Sequence, residues 1–196
     1  MSRLRTALFA AQHRRWTTLR QPQQDDLRLW LRFLRSAHDG ISLNLISCRR
    51  PTRLLRTDAC LHGIGGYSLN TGTAWRWELP LNLRDRATLN TLEFLSSYVG
   101  IYLEREYGNV EPLEVLLAQT DSTSAAGWLR KSNFDADIQP LHLVIAREMA
   151  TLVMEGGFGL YSQWFPGDQN DVADSLSRDT DLHPRHSHPI ASLLLP

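Results

Sequence analysis

Cysteine, lysine and long apolar runs are what this 196-residue chain has least of. Its two cysteines, Cys48 and Cys60, make neither a disulfide framework nor a four-ligand zinc set. That usage fits a reduced intracellular setting, cytoplasm or nucleus, rather than secretion. No apolar stretch approaches the roughly 18–20 residues needed to cross a bilayer, so no membrane partner is expected. The stretch from Met1 to Arg20 is rich in Arg but has neither the apolar core nor the small-residue cleavage site of a signal peptide. Lysine occurs once, at Lys131, among 21 basic residues. Arginine is the better bidentate partner for phosphate, although such a bias also arises from genome composition.

What is present is a globular composition, with 42% hydrophobic and 21% charged residues and a formal net charge of zero. The charge is unevenly placed. Residues 1–56 hold twelve Arg against three Asp, a formal +9, and residues 57–196 hold nine basic against eighteen acidic residues, a formal −9. A basic lead-in can hold a polyanion and an acidic body can hold metal cations; two solvated faces account for the same split.

Periodicity gives the elements. Residues 3–20 read as a weak helix ended by Pro22. A second helix is capped by Asp25, carries Leu27, Trp30, Leu31 and Leu34 on one side, and stops at Gly40. An extended stretch around Ile41–Ile46 and a basic linker from Arg49 to Arg53 follow. Strands are expected over 54–60, 64–69 and 74–79, the last two joined by the hairpin signal Asn70-Thr71-Gly72-Thr73. After Pro80 comes a polar loop, then a helix over 88–106 with Leu92, Leu95, Val99 and Leu103 as its stripe. A buried strand over 113–120, a short helix over 123–130 and a longer helix over 138–155, stopped by Gly156-Gly157, come next. A strand over 160–165, a Pro166-Gly167 turn and a helix over 171–178 complete the domain. This order predicts an α/β fold: a three-strand antiparallel meander plus two parallel strands in one mixed sheet, flanked by helices. Three units are expected: a helical connection or linker over 1–53, the main domain over 54–180, and a C-terminal tail over 181–196.

Four acids stand where solvated acids are not expected. Asp58 ends an apolar strand, Glu93 lies between Leu92 and Phe94 near a helix start, Asp121 follows the apolar 113–120 run, and Asp174 follows Ala173 in the last helix. Ligands of an open α/β sheet bind at strand ends. Clustered carboxylates need a compensating cation or proton, and hard oxygen donors select Mg²⁺ or Mn²⁺. Two such ions roughly 4 Å apart can activate a water and stabilise a leaving alkoxide in phosphodiester cleavage. Each acid also has an ordinary structural reading: a turn Asp at 58, a capping box of Glu93 with Asn90, a helix cap at Asp121-Ser122, and a helix-dipole acid at Asp174.

The motifs then resemble a family. Thr57-Asp58-Ala59-Cys60 with Gly63-Ile64-Gly65-Gly66, Asn90-Thr91-Leu92-Glu93-Phe94, and Gln119-Thr120-Asp121-Ser122-Thr123-Ser124-Ala125 are similar in order to ribonuclease H domains of reverse transcriptases. Gln163-Trp164-Phe165-Pro166-Gly167 through Asn170-Asp171-Val172-Ala173-Asp174-Ser175-Leu176-Ser177-Arg178 resembles the most specific motif of that family. Upstream, Asp25-Asp26-Leu27-Arg28-Leu29-Trp30 and Gly40-Ile41-Ser42 look like the polymerase connection of DIRS-type retroelements. The resemblance implies a ribonuclease H-like fold and an enzyme that cuts the RNA strand of RNA–DNA hybrids during reverse transcription. It implies two Mg²⁺ (or Mn²⁺) ions, with Asp58 bridging both, Glu93 and Asp121 on one, and Asp174 on the other. The implied partners are the hybrid and a reverse transcriptase polymerase domain, with Ser122, Asn170 and Arg178 as nucleic-acid contacts. Recognition would be through backbone shape and 2′-hydroxyls.

The chain departs from the family at several points. Gly167, Asp168 and Gln169 fill the loop where relatives place a His, Ser122 stands for a frequent Asn, Cys60 replaces a frequent Ser, and no basic protrusion is evident. The alternative is a catalytically weak or inactive module of the same fold that binds hybrid or a polymerase domain. A transposase- or integrase-type nuclease fits less well, because Glu93 comes second among the acids and an Asp closes the set. Asp171 is the nearest competitor of Asp174. His183, His186 and His188 read as tail residues, Trp75 and Trp77 share a strand face that favours burial over base stacking, and Arg49, Arg50 and Arg53 fit a solvated linker as well as a phosphate contact.

Overall fold

The computed structural model describes residues 2–12, 14, 16–36, 49–131, 134 and 138–178. The expected Gly40 stop, the extended stretch at 41–46, the end of the main domain at 179–180, and the tail with His183, His186 and His188 lie outside the described residues.

Five strands form one sheet: β1 (Arg53–Ala59), β2 (Gly63–Ser68), β3 (Ala74–Glu78), β4 (Val115–Thr120) and β5 (Gly159–Trp164). Their spatial order is β3-β2-β1-β4-β5. β1 and β3 each run antiparallel to β2, while β4 lies parallel to both β1 and β5. This is the mixed sheet expected from the sequence, a meander extended by two helix-connected parallel strands.

Seven α-helices are described: α1 (Ser2–Ala10), α2 (Gln21–Ser36), α3 (Leu81–Arg84), α4 (Leu89–Glu106), α5 (Thr123–Arg130), α6 (Pro140–Gly156) and α7 (Asp171–Arg178). A short 3₁₀ turn spans Gly167–Gln169. α4 crosses one face of the sheet, with α5 and α6 packed beside it, and α7 crosses the opposite face over β1, β2 and β3. The core lies on the α4 face. Leu55, Ile64, Trp75, Trp77, Leu116 and Ala118 of the sheet meet Leu92, Leu95, Val99 and Leu103 of α4 and Ile145, Met149 and Leu152 of α6. Trp75 and Trp77 are buried, as their shared face predicts. Phe94, Trp128, Phe134 and His142 form an edge-to-face aromatic cluster that joins α4, α5 and α6.

The sequence expectations fail at the N-terminus and after Pro80. α1 stops at Ala10, and Pro22 lies in the first turn of α2, where its missing N–H costs nothing, so it starts that helix rather than ending the previous one. Asp25 sits inside α2, paired with Arg28 at 2.7 Å. The apolar positions Leu27, Leu31 and Leu34 are exposed rather than buried. α3 falls in the expected loop. It is stabilised from outside its own four residues, because Arg84 Nε donates to Leu79 O at 2.7 Å and its Nη2 pairs with Glu78.

Candidate active site

Parallel pairing of β1 with β4 sets the C-terminal ends of these strands side by side, with Leu55 opposite Ala118 and Arg56 opposite Gln119. Asp58 therefore stands near the Asp121 that directly follows β4. Glu93 reaches the same edge from α4. That helix is buried nearly all round: its leucine stripe and Phe94, Tyr98 and Ile101 belong to the apolar core. The other stripe is Glu93, Ser96, Ser97 and Gly100, spaced i, i+3, i+4 and i+7, and it lies on the sheet. Ser96 Oγ donates to the carbonyls of Asp58 (2.8 Å) and Gly65 (3.2 Å), and Ser97 Oγ contacts Thr57 Oγ1 at 3.2 Å. A Cβ at Gly100 would come within 2.8 Å of Leu55. Small residues bring α4 against β1, and that close approach buries Glu93 to 6% exposure.

Asp58, Glu93 and Asp121 each offer a carboxylate oxygen, all within 4.8 Å of one another. Among the described residues this set is the one that could hold a metal ion. Burial first, then the charges of Asp121 and Asp174, pushes Asp58 up to about 6, against a lowering hydrogen bond from Ser177. Burial, then the charges of Asp58 and Asp121, pushes Glu93 up to about 9, only partly opposed by the Ala59 N–H and the Thr120 hydroxyl. Asp121 is raised by burial and by Asp174, and lowered by a backbone hydrogen bond and Arg178. The donors are all carboxylate oxygens, and Asp58 and Asp121 stay raised despite the opposing charge of Arg178, so the set fits a hard divalent cation.

The structural readings of the first three acids do not hold. Thr88 caps α4, accepting from Thr91 N, which leaves Glu93 free of any capping box with Asn90. Ser122 Oγ caps α5, accepting from Ala125 N at 3.2 Å, so Asp121 is not needed there. Cys60 Sγ closes the β1–β2 turn by accepting from His62 N and Gly63 N, which frees Asp58 from a turn role.

Asp174 lies outside the converging set. α7 carries it along the opposite face of the sheet, and its Oδ1 accepts from Arg178 Nε at 2.5 Å. The helix that holds it lies on glycines. A Cβ at Gly65 would meet Leu176 Cβ at 2.6 Å, and one at Gly63 would meet Ser177 O at 2.5 Å. Ser177 Oγ lies 2.5 Å from Asp58 Oδ2, tying α7 to β1. Asp171 is exposed and belongs to no cluster.

Of the expected nucleic-acid contacts, Ser122 is half-buried and spent on its cap. Asn170 is fully buried, and its Nδ2 donates to Thr57 O at 3.2 Å, an internal tether rather than a surface contact. Arg178 is exposed and paired with Asp174. In the linker, Arg49 donates to Leu113 O and Arg53 pairs with Glu114, so both are used within the chain; Arg50 is exposed.

Several residues at the site were given no role from the sequence, though most stand in the motifs. Trp164 is half exposed and donates Nε1 to Asp121 O at 2.7 Å, fixing the backbone that carries that acid. Gly167 passes so close that a Cβ there would lie 2.9 Å from Asp121 Oδ2. A polar row also crosses the α7 face of the sheet. Arg56 bonds Gln119 Oε1 and Tyr67 OH, Gln119 bonds Gln163, and the Arg56 guanidinium lies 4.7 Å from the Phe165 ring centre. Ser177 had a weak signal, since its i+3 spacing puts it on the face of Asp174; the others depend on contacts between distant segments.

The strand order, the single antiparallel meander and the helices on both faces define a ribonuclease H-like fold. No protein-family model matches the sequence, and no curated protein matches it. Among solved structures, ribonuclease H1 of the halophilic archaeon Halobacterium salinarum NRC-1 is similar at 20% identity, over 63% of this chain and 92% of that one, with a TM-score of 0.48. LC11-RNase H1, solved in complex with an RNA/DNA hybrid, is similar at 15% identity over 64% of this chain and 93% of that one, with a TM-score of 0.48. An N-terminal RNase H domain from Mycobacterium tuberculosis is similar at 16% identity over 63% and 88%, with a TM-score of 0.42.

Proposed function

We propose that the chain is a metal-dependent endoribonuclease that cuts the RNA strand of RNA–DNA hybrids in the course of retroelement reverse transcription. The observation that carries this reading is the convergence of Asp58, Glu93 and Asp121 at one edge of a ribonuclease H-like sheet. The retroelement setting, the polymerase partner and an intracellular location rest on the motif resemblance and the composition. So does the division into a connection segment over 1–53, a nuclease domain over 54–180 and a tail over 181–196.

In this reading Asp58, Glu93 and Asp121 hold one divalent ion, Mg²⁺ or Mn²⁺, and Asp174 with Asp58 holds a second. When bound, such ions lower the barrier to attack on a phosphodiester by activating water and neutralising charge on the leaving oxygen. The protein's own residues supply position. Ser96 and Ser177 fix Asp58 from the two sides of the sheet, Thr120 donates to Glu93 Oε2 at 3.5 Å, and Trp164 pins the Asp121 main chain. The same burial that raises these carboxyls excludes water from their unreactive sides, which strengthens their hold on a cation.

The test is cleavage of labelled RNA in a hybrid, with the same RNA single-stranded as control, in Mg²⁺ or Mn²⁺. The parent should cut the hybrid and spare the single strand. Asp58→Asn and Asp121→Asn should each lower the rate by at least about 10³-fold, the scale expected when a group of the reacting centre is lost. Robust cleavage by both variants would remove the site assignment. A second reading, a weak or inactive hybrid-binding module, is favoured by one observation, the pairing of Asp174 with Arg178 outside the triad. Hybrid binding by the parent without cleavage would select it.

A further inference from the structure

The geometry points to Arg178 as a placeholder cation for the second metal position, a positioning residue that occupies Asp174 until a divalent ion displaces it. This inference rests on the metal-binding reading above. Three observations carry it. Asp58, Glu93 and Asp121 converge within 4.8 Å while Asp174, one helix away, does not join them. One of the two Asp174 carboxylate oxygens, Oδ1, is engaged at 2.5 Å by Arg178 Nε. Arg178 directly follows Ser177, whose Oγ lies 2.5 Å from Asp58 Oδ2, so the ion pair is carried by the same helix turn that touches the cluster.

A guanidinium and a divalent cation repel each other and compete for the same lone pairs. An ion at Asp174 therefore binds against the Arg178 charge, and takes Oδ1 only if Arg178 swings out. It can do so, because its side chain is 65% exposed and stands at the end of a short helix. An exposed i,i+4 ion pair is worth little by itself, about a twofold factor in an equilibrium constant. The consequence is a graded bias: the triad loads first, and the second ion binds against a resident side chain. An ordinary helix-end ion pair would look similar in a static structure but would have no effect specific to the second ion.

The test is Mn²⁺ titration of the full chain without nucleic acid, counting free Mn²⁺ by its electron paramagnetic resonance signal. The parent should bind one ion more tightly than a second. In Arg178→Gln the second ion should bind about twofold tighter, with the first unchanged. Arg178→Lys, which keeps the charge, should stay near the parent. Asp174→Asn should lose the second ion, and adding Arg178→Gln to it should change nothing further. Equal tightening of both ions in Arg178→Gln would mean general charge relief and would overturn the placeholder role, as would no change in either. A parent that binds no Mn²⁺ would remove the metal reading itself, and this inference with it. Thermal unfolding of each variant near the parent's confirms that folded protein is compared.

Discussion

An ordinary glutamate is ionised at neutral pH; Glu93, held near 9 by burial and then by the charges of Asp58 and Asp121, carries its proton there. The same residue in the unfolded chain is ionised, so folding at pH 7 takes up a proton and loses stability for it. The sign follows. A carboxyl raised in the folded state contributes its full share of stability below its unfolded value near 4.5, and loses it as the pH rises towards 9. Asp58 acts in the same direction between 3.8 and about 6. The urea midpoint of metal-free protein should therefore fall steadily from pH 5 to pH 9, and saturating Mg²⁺ should flatten that fall by neutralising the cluster. Glu93→Gln should stabilise metal-free protein at pH 7 by roughly 1–3 kcal/mol, measured by urea unfolding, while abolishing hybrid cleavage. A midpoint independent of pH across that window would contradict the placement of these carboxyls. At this scale the four acids were readable as outliers against apolar neighbours. Ser96, Ser177 and Trp164 were not, because a serine hydroxyl or an indole N–H has no function until another segment's carbonyl or carboxylate arrives beside it.

The helices differ in how much of their position comes from their own sequence. The leucine stripe of α4 was plain from spacing, but the stripe of Glu93, Ser96, Ser97 and Gly100 reads as polar, as if it faced solvent, and in fact meets the sheet. That is why the depth of Glu93 was not legible while the existence of its helix was. α3 was missed for a related reason: its anchor is Arg84 reaching back to Leu79 and Glu78, not a local pattern. Pro22 was assigned to the wrong helix because a proline excludes helix before it and permits helix after it, and the sequence alone does not say which side is used. α7 makes the sharpest prediction. Gly65→Ala places a Cβ 2.6 Å from Leu176 Cβ and 2.8 Å from the Ser177 main chain, so the helix must lift. The expected cost is about 1–3 kcal/mol in urea unfolding, with hybrid cleavage falling by more than the loss of folded protein accounts for, since the Ser177–Asp58 contact breaks. Unchanged stability and activity would show that the helix does not rest there.

Among the described residues, α2 meets α6 through charged side chains. Arg147 of α6 binds Asp26 of α2 through Nε at 3.1 Å and through Nη2, and donates to Pro22 O at 2.8 Å. Arg32 pairs with Glu155. Asp26 is buried, so removing its partner leaves a costly charge. Arg147→Ala should raise amide hydrogen exchange over 21–36 at least about tenfold while leaving β4 and its neighbouring acids as protected as before; equal loosening of both would mean that the two parts unfold as one. The mixed sheet, a meander plus two parallel strands, was predictable from alternation and turn residues, whereas the docking of α2 was not, since its leucines suggested burial and Asp26 and Arg32 meet α6 as ion pairs. The seat of α7 on Gly63 and Gly65 has a further consequence. Where a helix rests on side chains, its height drifts as those side chains are exchanged. Here the spacer is main chain, which no mutation in the core can thicken or thin, so the hydrophobic interior is free to diverge while Ser177 and Asp174 keep their elevation above the strands.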